Sequence, residues 1–466
     1  MAERPDSGSL ALPPGAGTVE QWAAGEPRLE NDYRRDASRL SEFWQRGLAL
    51  LAALPAKSRR SAAEQALATR VLELGRDSRA RFLAAHGVAL YNDLTAGMTR
   101  HVRVEALAYE AAARVPGLVP TRNMVEAEAT LLQKDKDGHE IDQGSLFNRF
   151  LGERATGLHL CHSMLRPRPE ALAALDRLTR EGRVDFGTAM VERRGKASIV
   201  FMRNPRYLNA EDDSTVANVE TAVDLALLDP ATSICVLRGA PIEGGKYHGA
   251  KVFSTGINLT QLYHGKIPYL WYLIRDLGFV NKMFRGLAGD ACPDDVFGEA
   301  AEKPWVAVVE KFAIGGGCQY LLATDYVLAA TDAYMTLPAR KEGIIPGAAN
   351  LRLTRFVGDR IARQCVMYDL RIDCDSPSGR LICDEVVAPE RIDGALADVI
   401  ERLTSSGVVS AASNRRAFRI AEEPLDLFRA YMAVYAREQA RCHFSAALIR
   451  NLENYWNADK RVAAGG

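Results

Sequence analysis

The chain lacks an excess of either charge. Lys+Arg and Asp+Glu both number 59, for a formal net charge of zero at pH 7. No overall field therefore draws it to nucleic acid or to an anionic membrane, and any phosphate it binds has to be met by a local cluster. Long apolar runs are also missing. The longest early one, Gly47 to Ala56 between Arg46 and Lys57, is about half the ~20 residues a helix needs to cross a bilayer, so no membrane span is predicted. The eight cysteines (161, 235, 292, 318, 365, 374, 383 and 442) show no paired spacing, and no apolar leader precedes them. This pattern predicts reduced thiols and a cytoplasmic protein. Of the eight histidines only His159-Leu-Cys-His162 forms a compact pair. It falls in a helical stretch where packing accounts for it, and no metal site is predicted.

What is present is apolar material: 47% of 466 residues, enough for two or three domains. Residues 1–30 begin with Pro13, Pro14, Gly15 and Gly17 and lack an apolar period, which predicts a flexible arm. Residues 31–187 carry helical spacing, as in Leu40, Phe43, Trp44, Leu48 and Leu51, and predict an all-helical N-terminal domain. Over residues 188–400 the period changes. Ala197–Met202, a helix from about Ser214 to Leu228, Ser233–Leu237, Trp305–Val309 and Tyr326–Ala330 alternate strand with helix, which predicts an α/β core with a mostly parallel sheet. Residues 401–466 are helical again and carry Phe428, Tyr431, Tyr435 and Trp456.

Two glycine turns carry the chemistry. In Lys303-Pro-Trp-Val-Ala-Val-Val-Glu-Lys-Phe-Ala-Ile-Gly-Gly-Gly-Cys-Gln319 a strand runs into three glycines that open a helix. In Lys251-Val-Phe-Ser-Thr-Gly-Ile-Asn-Leu259 a strand end meets one glycine and a helix start. Each turn can aim backbone N–H groups, backed by a helix dipole, at an anion. One such turn is ordinary backbone packing; two in this order describe an oxyanion hole.

The pair resembles the oxyanion segments of the crotonase (enoyl-CoA hydratase/isomerase) superfamily, with its ββα spiral fold. Three more stretches agree: Asn204-Pro-Arg-Tyr-Leu-Asn-Ala210 with the early CoA loop, Glu342-Gly-Ile-Ile-Pro-Gly347 through Arg355 with a later active-site turn, and Ala362 to Val387 with the closing helix-turn region. The resemblance implies that the N–H groups of Ile257 and Gly316 bind a thioester oxygen. It also implies that Arg206, Thr255, Gly256, Asn258, Leu259, Gly315 and Gly317 line the CoA site, and that the protein assembles as a hexamer of two trimers. Lys246, Tyr247 and Lys251, in a segment longer than the family's, are further candidates for the CoA phosphates.

The family's hydratases place glutamates three residues after the middle glycine and just after a proline. Here those positions hold Gln319 and Ala339, which can neither give nor take a proton at neutral pH, so hydration is not expected. Glu211, next to the early loop, is the candidate base, and its bland alternative is a solvated helix-start residue beside Asp212 and Asp213. Arg275, within the aromatic stretch from Tyr263 to Phe284, and Gln319 are candidates to steer a polar acyl group or its product. The lost glutamates together with the long helical extension resemble a narrow branch of the superfamily that serves glycopeptide-antibiotic biosynthesis. That branch converts an arylacetyl-CoA with O2 and water to an arylglyoxylate and CoA. This implies an arylacetyl-CoA and O2 as partners, and no metal, flavin or other cofactor. Two other readings stand beside it: an arylacyl-CoA thioesterase or isomerase that uses no O2, and a non-catalytic RNA-binding or scaffold relative.

Overall fold

The computed structural model describes residues 16–289 and 296–456; Cys292 and the last ten residues lie outside this range. A seven-stranded sheet runs in the order Arg183–Asp185, Ala189–Arg194, Ala197–Met202, Ile234–Gly239, Trp305–Val309, Tyr326–Ala330 and Glu385–Val387. The first two junctions are antiparallel and the other four parallel. Ala197–Met202, Ile234–Gly239 and Trp305–Val309 are buried throughout, as strands covered on both faces must be. Helix Asp213–Leu228 crosses between two of them, capped by Asp212. A second sheet of Ile372–Asp373, Tyr334–Thr336 and Phe312–Ile314 stands beside the first.

The helical region precedes the sheet, which begins at Arg183 rather than at 188. Part of the predicted arm is ordered: Ala16–Ala24 is helical, and Trp22 stacks on Phe43 and donates its indole N–H to the Phe43 carbonyl. Buried Val19 and Trp22 hold this short helix, and a search for apolar periodicity does not register two residues. Residues 1–15 lie outside the described range. Three helices, Val408–Glu422, Leu425–His443 and Ala446–Trp456, close the chain. Among the described residues no helix is long and apolar enough to cross a membrane.

The N-terminal helices are joined to the core by polar as well as apolar contacts. Glu140 accepts the Tyr269 N–H at 2.6 Å, Lys136 donates to the Gly265 carbonyl at 2.8 Å, and Gln133 donates to the His443 carbonyl at 2.8 Å. Helix Ile141–Gly152 lies so close to Leu425–His443 that a Cβ on Gly144 would stand 2.4 Å from the Ala440 side chain. Burial raises the Glu140 carboxyl to about 7, against the opposing pull of Lys136 and the Tyr269 N–H. A carboxyl whose folded pKa exceeds its unfolded value stabilises the fold below the unfolded pKa, and that contribution is lost as pH rises through about 7. The urea midpoint should therefore fall between pH 5.5 and 8, and Glu140→Gln should remove part of that fall, up to ~2 kcal/mol. An unchanged slope in the variant would place the pH dependence elsewhere.

Candidate active site

The two glycine turns are bonded to each other. The Ile314 N–H donates to the Ser254 carbonyl at 3.0 Å and the Ser254 N–H to the Phe312 carbonyl at 3.3 Å. Gly256 has φ +73°, and a Cβ there would stand 2.6 Å from the Ile314 oxygen and 2.8 Å from the Gly316 nitrogen. Only glycine lets the turns approach this closely. The early loop completes the frame: Glu211 N–H donates to the Gly256 carbonyl and Asn258 N–H to the Glu211 carbonyl, both at 2.7 Å. Ile257 lies between these two bonds, and Gly316 opens helix Gly316–Leu321. Among the described residues neither of their N–H groups is taken by another backbone group, as the start of a helix requires for Gly316.

Two cavities meet at these turns. The inner one is walled by Trp271, Leu337, Ile344 and Ile345 on its apolar side and by Glu211, Arg275, Gln319 and Tyr435 on its polar side. Gln319 and Ala339 both line it, so the two positions that hold acid and base in the hydratases face the cavity without a carboxylate. The outer, larger one is lined by Arg206, Thr255, Asn258, Leu259, Lys341 and Trp456, among others. Ile257 and Glu342 line both.

Arg275 is buried and fully engaged. Its Nε donates to Glu211 Oε2 at 2.5 Å; Nη1 donates to Asp276 Oδ1 and Gln319 Oε1, both at 2.6 Å; Nη2 donates to Glu211 Oε1 and the Gly316 carbonyl, both at 3.1 Å. Its plane also lies 4.9 Å from the Tyr320 ring centre. A guanidinium has five N–H donors, and all five have protein acceptors, which leaves none for an acyl group or its product. Arg275 therefore acts as a positioning residue: it orients Glu211, Gln319 and the Gly316 turn. Burial alone would depress the guanidinium, but Glu211, Tyr320 and Asp276 hold it well above its ordinary value.

The other predicted residues divide into two groups. Arg206, Thr255, Asn258 and Leu259 line the outer cavity, with Thr255 Oγ1 donating to the Tyr207 carbonyl at 3.1 Å. The Asn258 side chain is committed to capping its helix and to Asp212 Oδ2 at 3.0 Å. Gly315 lines the inner cavity, whereas Gly317 packs against Ser254. Lys246, Tyr247 and Lys251 border neither cavity. Lys251 pairs with Asp393 at 3.1 Å, Lys246 lies over the Tyr247 ring, and Tyr247 meets Phe312 edge-on. His159 and His162 pack around His101, and burial pushes both down to about 4. Among the described residues the ligand atoms of Glu128, Asp137 and His139 do converge, but Asp137 is already held by Arg60 through both oxygens.

Glu342 was not singled out from sequence. It is the last residue of a four-residue helix, Ala339–Glu342, and is 8% exposed. Both carboxylate oxygens lie within 3.7 Å of where a Cβ on Gly315 would stand. Burial, with a smaller contribution from Asp369, raises its pKa to about 7. The C-terminal helices were likewise assigned no site residue, yet Tyr435 lines the inner cavity and Asn451, Leu452, Tyr455 and Trp456 line the outer one.

The fold thus brings the two glycine turns, with the N–H groups of Ile257 and Gly316, to the seam of two cavities, and comparison with known proteins shows the family. The enoyl-CoA hydratase/isomerase family profile matches residues 298–435. Over 424 residues, 91% of this chain and 96% of its relative, the sequence is 43% identical to the (3,5-dihydroxyphenyl)acetyl-CoA 1,2-dioxygenase of Amycolatopsis orientalis. The chain belongs to the crotonase superfamily. It is 26% identical over 234 residues to the crotonyl-CoA hydratase of Syntrophomonas wolfei, covering 50% of this chain and 81% of that one. Among solved structures, an enoyl-CoA hydratase from Mycobacterium avium subsp. paratuberculosis matches with a TM-score of 0.47 at 21% identity, covering 57% of this chain and 98% of that chain.

Proposed function

We propose that the protein is a cofactor-independent dioxygenase that converts (3,5-dihydroxyphenyl)acetyl-CoA and O2 to (3,5-dihydroxyphenyl)glyoxylate and CoA. The observation that carries this reading is the pair of backbone N–H groups of Ile257 and Gly316, without a backbone acceptor among the described residues, beside a cavity whose two hydratase positions hold Gln319 and Ala339, together with 43% identity to a dioxygenase over nearly the whole chain. Such a site can stabilise an enolate but has nothing at those positions with which to add water.

The aryl group enters the inner cavity, CoA lies in the outer one, and the thioester carbonyl sits at the seam. Loss of one Cα proton gives a carbanion spread over thioester and ring, rich enough in electrons to reduce O2 directly. The Cα–O bond forms, and the distal peroxide oxygen then closes on the thioester carbon as the C–S bond breaks. The O–O bond breaks as the second Cα proton leaves, giving the ketone and the carboxylate. Both oxygen atoms come from O2, so the balance needs no net water; the expectation that water is also consumed is set aside. Each oxyanion donor lowers the barrier to the enolate by an amount worth ~10²- to 10³-fold in rate. The apolar wall of Leu337, Ile344 and Ile345 keeps bulk water from the peroxide.

An oxygen-electrode assay of chelator-treated protein with (3,5-dihydroxyphenyl)acetyl-CoA should show one O2 consumed per CoA released, and 18O2 should label both the keto and the carboxylate oxygens. Release of CoA without O2 uptake would identify a thioesterase and end this reading.

A further inference from the structure

We propose that Glu342 is the general base that removes the Cα proton, with Glu211 a positioning residue held by Arg275. The proposal rests on the thioester-enolate reading of the site but not on the fate of the enolate. Ile257 and Glu342 are the two residues that line both cavities. With the aryl group in the inner space and CoA in the outer one, the carbonyl and its Cα lie where those cavities join. Ile257 there offers an N–H to the oxygen, and Glu342 brings a carboxylate to the carbon side of the same seam, against Gly315.

The two carboxylates differ in what occupies them. Both Glu211 oxygens accept from the Arg275 guanidinium, at 2.5 and 3.1 Å, so protonating Glu211 would break a buried ion pair. Glu342 has no side-chain hydrogen bond or ion pair among the described residues. The charges around it are arranged to leave it free. Asp369 is bound by Arg340 at 2.9 Å and Lys341 at 3.4 Å, Tyr272 shares the inner wall, and the Glu211–Arg275 pair stands across the cavity. A carboxyl that titrates near 7 is matched to proton abstraction at neutral pH. In the step itself the Cα–H bond breaks, the proton goes to Glu342, and the electron pair moves onto the thioester oxygen held by Ile257 and Gly316.

The test is exchange of the Cα hydrogens of (3,5-dihydroxyphenyl)acetyl-CoA in D2O under nitrogen, read by mass, alongside O2 uptake in air. The wild-type protein should exchange, at a rate that rises with pH and levels off above about 7. Glu342→Gln should lose ~10²- to 10⁴-fold in exchange and in kcat with KM little changed, and Glu342→Asp should recover part of the rate. Exchange or O2 uptake by Glu342→Gln at the wild-type rate would overturn the proposal. So would loss of exchange in Glu211→Gln alone, which would return the role to Glu211. If Glu342→Gln does not fold, Glu342→Asp decides the matter: a wild-type kcat and pH profile would overturn it. Exchange without O2 uptake by the wild type, lost in Glu342→Gln, would refute the dioxygenase while supporting Glu342 as the base.

Discussion

Gly316→Ala should lower the rate of O2 uptake by at least ~10²-fold without abolishing CoA binding. A Cβ at this position would stand 2.0 Å from Glu211 Oε1 and 2.8 Å from Arg275 Nη2. The obstacle is not a flexible side-chain tip, because Glu211 is gripped on both oxygens by a guanidinium that is itself bound to Asp276, Gln319 and the Gly316 carbonyl. The backbone has to yield instead, and it carries the oxyanion N–H away from the thioester oxygen. The outer cavity, lined by Arg206, Thr255 and Trp456, is not disturbed. Kinetics should therefore show a fall in kcat, and competition with CoA should show a nearly unchanged dissociation constant. A variant with near wild-type kcat would mean that the Gly316 N–H does not hold the oxyanion.

Arg275→Met should be the most destabilising single change at the site, costing ~3–5 kcal/mol in urea unfolding at pH 7. Methionine replaces most of the volume, but it leaves the carboxylates of Glu211 and Asp276 buried without their cation. Asp276 is already pushed upward by burial, and Arg275 opposes that push. Without Arg275 the Asp276 carboxyl should take up a proton more readily, so the deficit relative to wild type should shrink as pH falls from 8 to 5. Adding Glu211→Gln and Asp276→Asn should restore much of the loss, since neutral amides carry a smaller burial cost. A deficit below ~1 kcal/mol, in the range of an exposed pair, would contradict this account of the cluster.

The strands were the most legible part of the fold. Ala197–Met202, Trp305–Val309 and Tyr326–Ala330 were read from local β-branched and apolar runs and stand at those same bounds. Burial on both faces imposes a continuous apolar run, and that is visible in five or six neighbouring residues. The helix opening at Gly316 was legible for a similar reason: glycines after a strand are local backbone chemistry. The arm misled, because two buried residues, Val19 and Trp22, are enough to anchor Ala16–Ala24.

At the site, local sequence was enough to pick out the two glycine turns that the fold brings together and to show that Gln319 and Ala339 cannot exchange protons. It could not show that Arg275 has no donor left to offer. That follows from Glu211, Asp276, Gln319 and the Gly316 carbonyl converging from separate segments of chain. Lys251 reads as a phosphate ligand until Asp393, 142 residues away, claims it. Glu342 opens the stretch that resembles a later active-site turn, but nothing in that stretch marks its carboxylate, which gains its character from burial where two cavities join. Backbone turns and apolar strands are governed by neighbours along the chain, so composition and spacing determine them. The pairing and basicity of a charged group depend on what lies within a few ångströms in space, and for Arg275, Lys251 and Glu342 only the folded arrangement decides that.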